Sequence, residues 1–384
     1  MHNMTTPPSA TAGHTSFFDK LQNADGLDLR DKRGQRHQLA FILFGVTLAL
    51  LSGRDGNLSS IHRFLCHRHQ ELADATGKEE GPSVSRAQLP LILAKVSAKL
   101  FDRLLLSSYG VSLSEDAKRW FGVDGKELKG SIESGRKRGE AVVQAVSHDT
   151  REVQGQDYYH GRKESEVVTA RELLAAEGLL TQKISLDALH CNPQSLAPIE
   201  AAGGSYLVGV KKNQEKLLAQ VEAASSAQRP LFTAQAVEKS HGRLTARHYQ
   251  VYDIKGLELE ARWSGCGLAR VVQVERESEE LKTGKKSAET SYYVSNDVGG
   301  SEELCQAVRG HWSVEVNNHQ RDVTFAEDGL KAGKQGLNRA LAGLRTLGGA
   351  LLQRLGGGNK KALIDKFKDD FGSLIGCLRG LNFL

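Results

Sequence analysis

From Trp120 to Ala224 the chain changes pattern in an order that few architectures accommodate. Three short β-rich segments come first, Phe121–Ser131, Ala141–His148 and Glu152–Tyr159, punctuated by glycine or charged turns as in a three-stranded meander. A helical segment follows, Glu164–Glu177, with Val167, Val168, Leu173 and Leu174 inward and Gly178 to end it. Lys183–Leu189 reads as a strand, Pro193–Ala202 as a helix closed by Gly203-Gly204, and Ser205–Lys211 as another strand. Asn213 is placed to cap a helix from Gln214 to about Ala224. Strands followed by alternating helices and strands describe an α/β domain.

The order β-β-β-α-β-α-β-α is that of an RNase-H-like core, in which the first strand is central and the fourth pairs beside it. Asp124 lies within the first strand, and Asp187 ends Ile184-Ser185-Leu186-Asp187 in the fourth, so the two should meet at one depth. Carboxylates that close repel and raise each other's pKa unless cations neutralise them. Mg²⁺ keeps several waters and accepts one or two carboxylates together with phosphate oxygens. Two such ions about 3.5–4 Å apart activate an attacking oxygen and stabilise a leaving one.

A third acid stands in the late stretch Arg309-Gly310-His311-Trp312-Ser313-Val314-Glu315-Val316-Asn317-Asn318-His319-Gln320-Arg321-Asp322, on a helix that begins at Ser301. At a repeat of about 3.6 residues, His311, Glu315, Asn318, His319 and Asp322 share one face, flanked by Arg309, Trp312 and Arg321. A carboxylate on a basic, aromatic helix suits a cation that pins a phosphate. Arg309 and Arg321 are candidates to pair with phosphates, and Trp312 either stacks on a base or packs in the core. His311, Glu315 and His319 also have the spacing of a single-zinc site, a reading that leaves Asp124 and Asp187 without a role.

The flanks divide the chain further. Residues 1–16 read as a disordered tail and 17–110 as a helical domain. There, Gln38–Ser52 is apolar almost all round and should be buried, while a helix capped by Ser59 or Ser60 carries His62, Arg63, His67 and Arg68 on a basic face. A third helix is expected from about Ser85 to Ser107, giving a helix-loop-helix unit compatible with DNA-end binding or with packing alone. The core's first part spans 118–224; 225–298 is an all-β insertion, 299–355 returns to the core with Glu315, and 356–384 is a helical tail. A net charge of +5 leans towards an anionic partner. Five cysteines scattered singly argue for reduced thiols and a cytosolic setting. The apolar run Leu39–Leu51 is shorter than the roughly 20 residues a bilayer demands.

Separated blocks then carry a family resemblance. Asp124-Gly125-Lys126-Glu127-Leu128-Lys129-Gly130-Ser131, Ser185-Leu186-Asp187-Ala188-Leu189-His190-Cys191, Val210-Lys211-Lys212-Asn213-Gln214, His241-Gly242-Arg243 with Arg247, and Val308 to Glu315 followed by Asp322 to Asp328 occur in order. In these the chain resembles the DDE transposases of the ISAs-type insertion-sequence family, the group that includes the H-repeat-associated proteins. The resemblance runs from about Leu27 to Arg354. It departs from the family pattern at Val316, Gln320, Ser165 and Leu244.

The resemblance implies Mg²⁺- or Mn²⁺-dependent cleavage and strand transfer at the ends of a mobile element, with two ions held by Asp124, Asp187 and Glu315. It implies DNA as partner, a homodimer on that DNA, and a bacterial cytosol with association to the nucleoid. The residues whose charge, ring or position suits DNA contact are Lys126, Lys129, Lys211, Lys212, His241, Arg243, Arg247, Arg309, His311, Trp312 and Arg321. The alternative is a catalytically decayed, DNA-binding descendant of such an enzyme.

Overall fold

The computed structural model describes residues 15–54, 57–77, 82–114, 116–160, 163–240, 242–254, 257–331, 334–356 and 359–384. Of the expected N-terminal tail, residues 1–14 lie outside these, as does His241. Ser16 already belongs to the fold, because its hydroxyl accepts the Asp19 N–H and caps the first helix.

The chain is mixed α/β, with nine strands in one sheet and fourteen helices among the described residues. Six helices lead: α1 (Phe17–Gln22), α2 (Leu39–Leu51), α3 (Leu58–His67), α4 (His69–Thr76), α5 (Gln88–Leu93) and α6 (Ala98–Tyr109). Then come β1 (Trp120–Glu127), β2 (Glu140–Ser147), β3 (Val153–His160), α7 (Lys163–Ala176), β4 (Lys183–Leu186), α8 (Pro193–Ala201), β5 (Ser205–Val210) and α9 (Glu215–Ala227). Four long strands follow, β6 (Phe232–Ser240), β7 (Arg243–Asp253), β8 (Arg270–Glu280) and β9 (Lys286–Ser295). The chain closes with α10 (Ser301–Gly310), α11 (Trp312–Thr324), α12 (Gln335–Arg354), α13 (Lys360–Asp369) and α14 (Phe371–Gly380).

The sheet order is β3-β2-β1-β4-β5-β9-β8-β7-β6. β1 pairs parallel with β4, and β4 with β5, whereas β2 and β3 pair antiparallel on the other side of β1. The segment expected as an all-β insertion extends this same sheet, because β9 pairs antiparallel with β5. Residues alternate across β1 as a strand requires. Phe121 and Val123 join Ala170, Leu173 and Leu174 of α7 in one apolar cluster. On the other face, Gly122, Asp124 and Lys126 meet His311, Asn318 and Asp322 in turn.

The first helices and the last share a core. Every residue of α2 but Phe41 is buried, in a cluster that also holds Leu337 to Leu352 of α12 and Phe367, Leu374 and Phe383. Each fully buried Leu, Ile or Phe contributes about 1.5–3 kcal/mol, so an all-apolar helix is stable only at the centre of such a body.

Two expected helices are interrupted. Instead of one helix over 85–107 there are α5 and α6, because residues 95–97 pair with the chain before α2: Leu29 N–H donates to Lys95 C=O, and Ser97 N–H to Leu27 C=O. The helix from Ser301 is divided at His311 into α10 and α11. Asn213 does not cap α9; its side-chain amide donates to Ala188 C=O at 2.6 Å, and Gln214 takes the capping position.

Candidate active site

The β1–β4 register ends at Val123 opposite Leu186, so Asp124 and Asp187 are the next residues on adjacent parallel strands. The chain leaves the sheet at Asp187, whose carboxylate accepts the Leu189 N–H at 2.8 Å and starts a short 3₁₀ turn over Ala188–His190. Asp124 accepts a bond from the Asn318 amide of α11 at 3.2 Å. Its carboxyl is pushed up to about 7, first by burial and then by the neighbouring charges of Glu166 and Asp187.

Glu315, exposed on the first turn of α11, lines the same cavity as the two aspartates. Partial burial raises its carboxyl, with Arg309 opposing. The cavity measures about 770 Å³, and its walls also carry Lys211, Lys212, Arg247, Arg309, His311 and Trp312. Among the described residues, no three Asp, Glu, His or Cys side chains are arranged so that they could hold a metal ion as they stand. This holds for His311, Glu315 and His319 and equally for Asp124, Asp187 and Glu315 as they stand.

Beneath the cavity floor lies a neutral polar chain. Ser185 Oγ is 2.9 Å from His311 Nδ1 and 2.8 Å from His148 Nε2. Burial pulls His311 down to about 4 and His148 to about 3, so both imidazoles are uncharged near neutral pH. Gly310 makes this possible, since a Cβ there would stand 2.2 Å from the His148 ring. His148 in turn stacks on Trp120.

The expected DNA contacts separate into two groups. Lys211, Lys212 and Arg243 are exposed. Trp312 is 38% exposed, with the Arg309 guanidinium 4.1 Å and the Arg247 guanidinium 5.2 Å from its ring centre. Both guanidiniums are also held by Glu238, Arg309 at 2.8 Å and Arg247 at 3.2 Å.

Four residues are not presented as expected, among them Arg247, which is buried at 8% exposure and tied to Glu238. Lys126 is buried, with Nζ 2.6 Å from Asp322 and 3.4 Å from Asp328. Arg321 is buried at 3% exposure and forked onto Glu327, so it faces the interior rather than a phosphate. His311 lines the cavity, but as a neutral partner of Ser185 it offers no cation. Lys129 stays exposed while paired with Asp328 at 2.7 Å.

Sequence reasoning gave no role to Glu166, His190 and Glu238, and placed Asn318 on the polar face of its helix without a partner. Glu166 stands in the first turn of α7, where acids are common for reasons of helix polarity alone. His190 is a lone histidine after a strand. His190 closes the short turn that Asp187 starts, its Nε2 4.0 Å from Asp187, and the fold brings Glu166 to within 3.8 Å of that nitrogen.

No protein-family model matches the chain. It is similar to the "Putative transposase YncI" of Escherichia coli O157:H7, 25% identical over 336 residues that make up 85% of each chain. It is also similar to the "H repeat-associated putative transposase YhhI" of Escherichia coli strain K12, 27% identical over 326 residues, 83% of this chain and 85% of the relative. Similarity spread over most of the chain supports a transposase family. No helix among the described residues is long and apolar enough to cross a membrane.

Proposed function

We propose that the chain is a DDE transposase that cleaves and joins DNA at the ends of an insertion sequence of the ISAs type, and that its core is RNase-H-like. One observation carries the reading: Asp124 and Asp187 follow each other on adjacent parallel strands, and Glu315 lines the same cavity among exposed lysines. The core assignment is supported by the order β3-β2-β1-β4-β5, with β1 central and β4 parallel beside it. The similarity to relatives named as transposases points the same way.

Asp124 and Asp187 are the groups suited to hold Mg²⁺ or Mn²⁺, with Glu315 reaching from the α11 wall. The fit is judged from the donors themselves, carboxylate oxygens just past the paired register of two adjacent parallel strands, which suit a hard cation. When bound, two such ions activate the attacking oxygen and stabilise the leaving one. The chain's own part is to position the DNA: Lys211 and Lys212 meet backbone phosphates, and Trp312 offers a stacking surface at the cavity mouth. Arg243 extends the basic surface along β7. The helices of 17–110 serve DNA-end binding, and a homodimer brings two ends together.

The test is a cleavage assay on duplex DNA carrying the element's own ends, with Mg²⁺ or Mn²⁺. Asp187→Asn should abolish cleavage and leave binding nearly intact. Undiminished cleavage by that variant would sink the assignment.

A further inference from the structure

We propose that a second groove, which shares Trp312 and Arg309 with the cavity, carries the backbone of the same DNA onward, with Lys118, Arg119 and Arg151 as its phosphate contacts. The inference rests on the DNA reading above and gives a role to three cations that the reading leaves without one.

The groove measures about 510 Å³. The approach to β1 and the β2–β3 turn line it with Lys118, Arg119 and Arg151, and the α10–α11 junction lines it with Gly310 and Val316. Arg309 and Trp312 line both this groove and the cavity that holds Asp124, Asp187 and Glu315. The two meet at these residues, so a strand laid through one runs into the other.

The positive charge of the groove is not used up inside the protein. Neither Arg119 nor Arg151 has a side-chain hydrogen bond or ion pair among the described residues. Lys118 donates to a backbone carbonyl, that of Gly203. Of the two acids in the groove, Glu303 accepts the Lys183 ammonium at 2.6 Å and the Trp120 indole N–H at 2.9 Å. That leaves Asp149 against three cations. Their field reaches α13, where the Lys360 ammonium is pulled down to about 8, first by burial and then by the charge of Arg151. Trp312 and Val316, 38% and 41% exposed and one helical turn apart, add apolar surface. Free cations around an exposed indole match a nucleic-acid strand, which offers both phosphates and rings.

Arg151 is also held in place at a cost. It stands at φ 58° in the β2–β3 turn, a left-handed conformation that favours glycine. Stability alone would put glycine there, and a phosphate contact gives the guanidinium a use for the position.

The test is fluorescence anisotropy of the full-length chain with a labelled duplex over a series of salt concentrations, with a melting temperature for each variant. Arg151→Gly should melt no lower than wild type, yet make the plot of log affinity against log salt shallower by about 0.9. Arg119→Gln with Arg151→Gly should make it shallower by about 1.8, and Arg151→Lys, which keeps the charge, should hold the wild-type slope. The wild-type chain should bind one duplex per chain. Wild-type slopes in the folded Arg119 and Arg151 variants overturn the groove and leave the DNA reading standing, and two independent duplexes per chain overturn its continuity with the cavity. A wild-type chain that binds no duplex overturns both.

Discussion

Arg321 grips Glu327 with two parallel bonds, Nε to Oε2 at 2.8 Å and Nη2 to Oε1 at 2.7 Å, and each side chain is only 3% exposed. Arg345 adds a second guanidinium at 3.5 Å and Lys126 an ammonium at 4.0 Å. Burial would push the Glu327 carboxyl up, but Arg321 and then Arg345 and Lys126 outweigh it and hold the group below the usual carboxylate range. Removing one partner leaves the others buried and uncompensated, which typically costs about 3–5 kcal/mol. Arg321→Ala should therefore unfold in urea with a midpoint far below wild type. A variant that keeps its stability and loses only DNA affinity would restore the surface role expected from the sequence.

Gly310 is the pivot between α10 and α11. A methyl group there would meet His148 Nδ1 at 2.2 Å and Cγ at 2.8 Å, in a ring that cannot retreat because it is stacked on Trp120 and bonded to Ser185. Overpacking of this kind costs about 1–3 kcal/mol. Gly310→Ala should lower the melting temperature and shift the His148 and His311 imidazole resonances together. If the melting temperature holds and neither resonance moves, α10 and α11 are free to slide and the contact is not restrictive.

Much of this was legible in the chain because its signals are local. The meander from Trp120 and the helix–strand alternation after it depend on side-chain period and on turn residues, which act within a few positions. Asp124 and Asp187 were legible because each ends a short apolar run, so only the strand order had to be supplied. The reading failed where tertiary contacts decide. Nothing near residue 96 announces that it pairs with Asp28, yet that pairing splits α5 from α6. Arg321 and Lys126 look like surface cations in sequence, since nearly all such residues are. Only the return of Glu327, Asp322 and Asp328 to their side buries them. Glu166 of α7 reaches His190 from an earlier element, and no spacing rule predicts that.

Asp102 ties the helical body to the sheet. It lies on α6, buried to 4% exposure, and accepts the Gln156 amide of β3 at 2.5 Å. Gln156 Oε1 accepts in turn from Thr346 of α12 at 2.8 Å. Burial pushes the Asp102 carboxyl up to about 8, with the Gln156 and Tyr158 bonds opposing. Below the unfolded value near 3.8 both states hold the proton, so there is no effect. Between there and about 8 the folded chain keeps a proton that the unfolded chain releases, so stability falls as pH rises. The loss should be roughly 4–5 kcal/mol between about pH 4.5 and about pH 8.5. Asp102→Asn should remove that share of the slope and be the more stable protein at the alkaline end of that range. Parallel stability curves for the two proteins would show that Asp102 titrates in the ordinary range.

Glu238 restrains the cationic mouth of the cavity. Its two oxygens hold Arg309 at 2.8 Å each, one of them also takes Arg247 at 3.2 Å, and these are the guanidiniums that lie over Trp312. In the Glu238–Arg309 pair the side chains are 37% and 39% exposed, so breaking it should change folding stability by less than about 1 kcal/mol. Its effect on a polyanion is larger, because a guanidinium already facing a carboxylate must be released before it can meet a phosphate. Glu238→Gln keeps the size and removes the charge. It should tighten binding to duplex DNA several-fold at low salt. Each further phosphate that a freed guanidinium neutralises should steepen the plot of log affinity against log salt by about 0.9. Lys211→Ala, which deletes an exposed cation, should make the same plot shallower by about 1. Fluorescence anisotropy with a labelled duplex over a series of salt concentrations separates these outcomes. Unchanged slopes in both variants would mean that this cavity mouth does not carry the DNA.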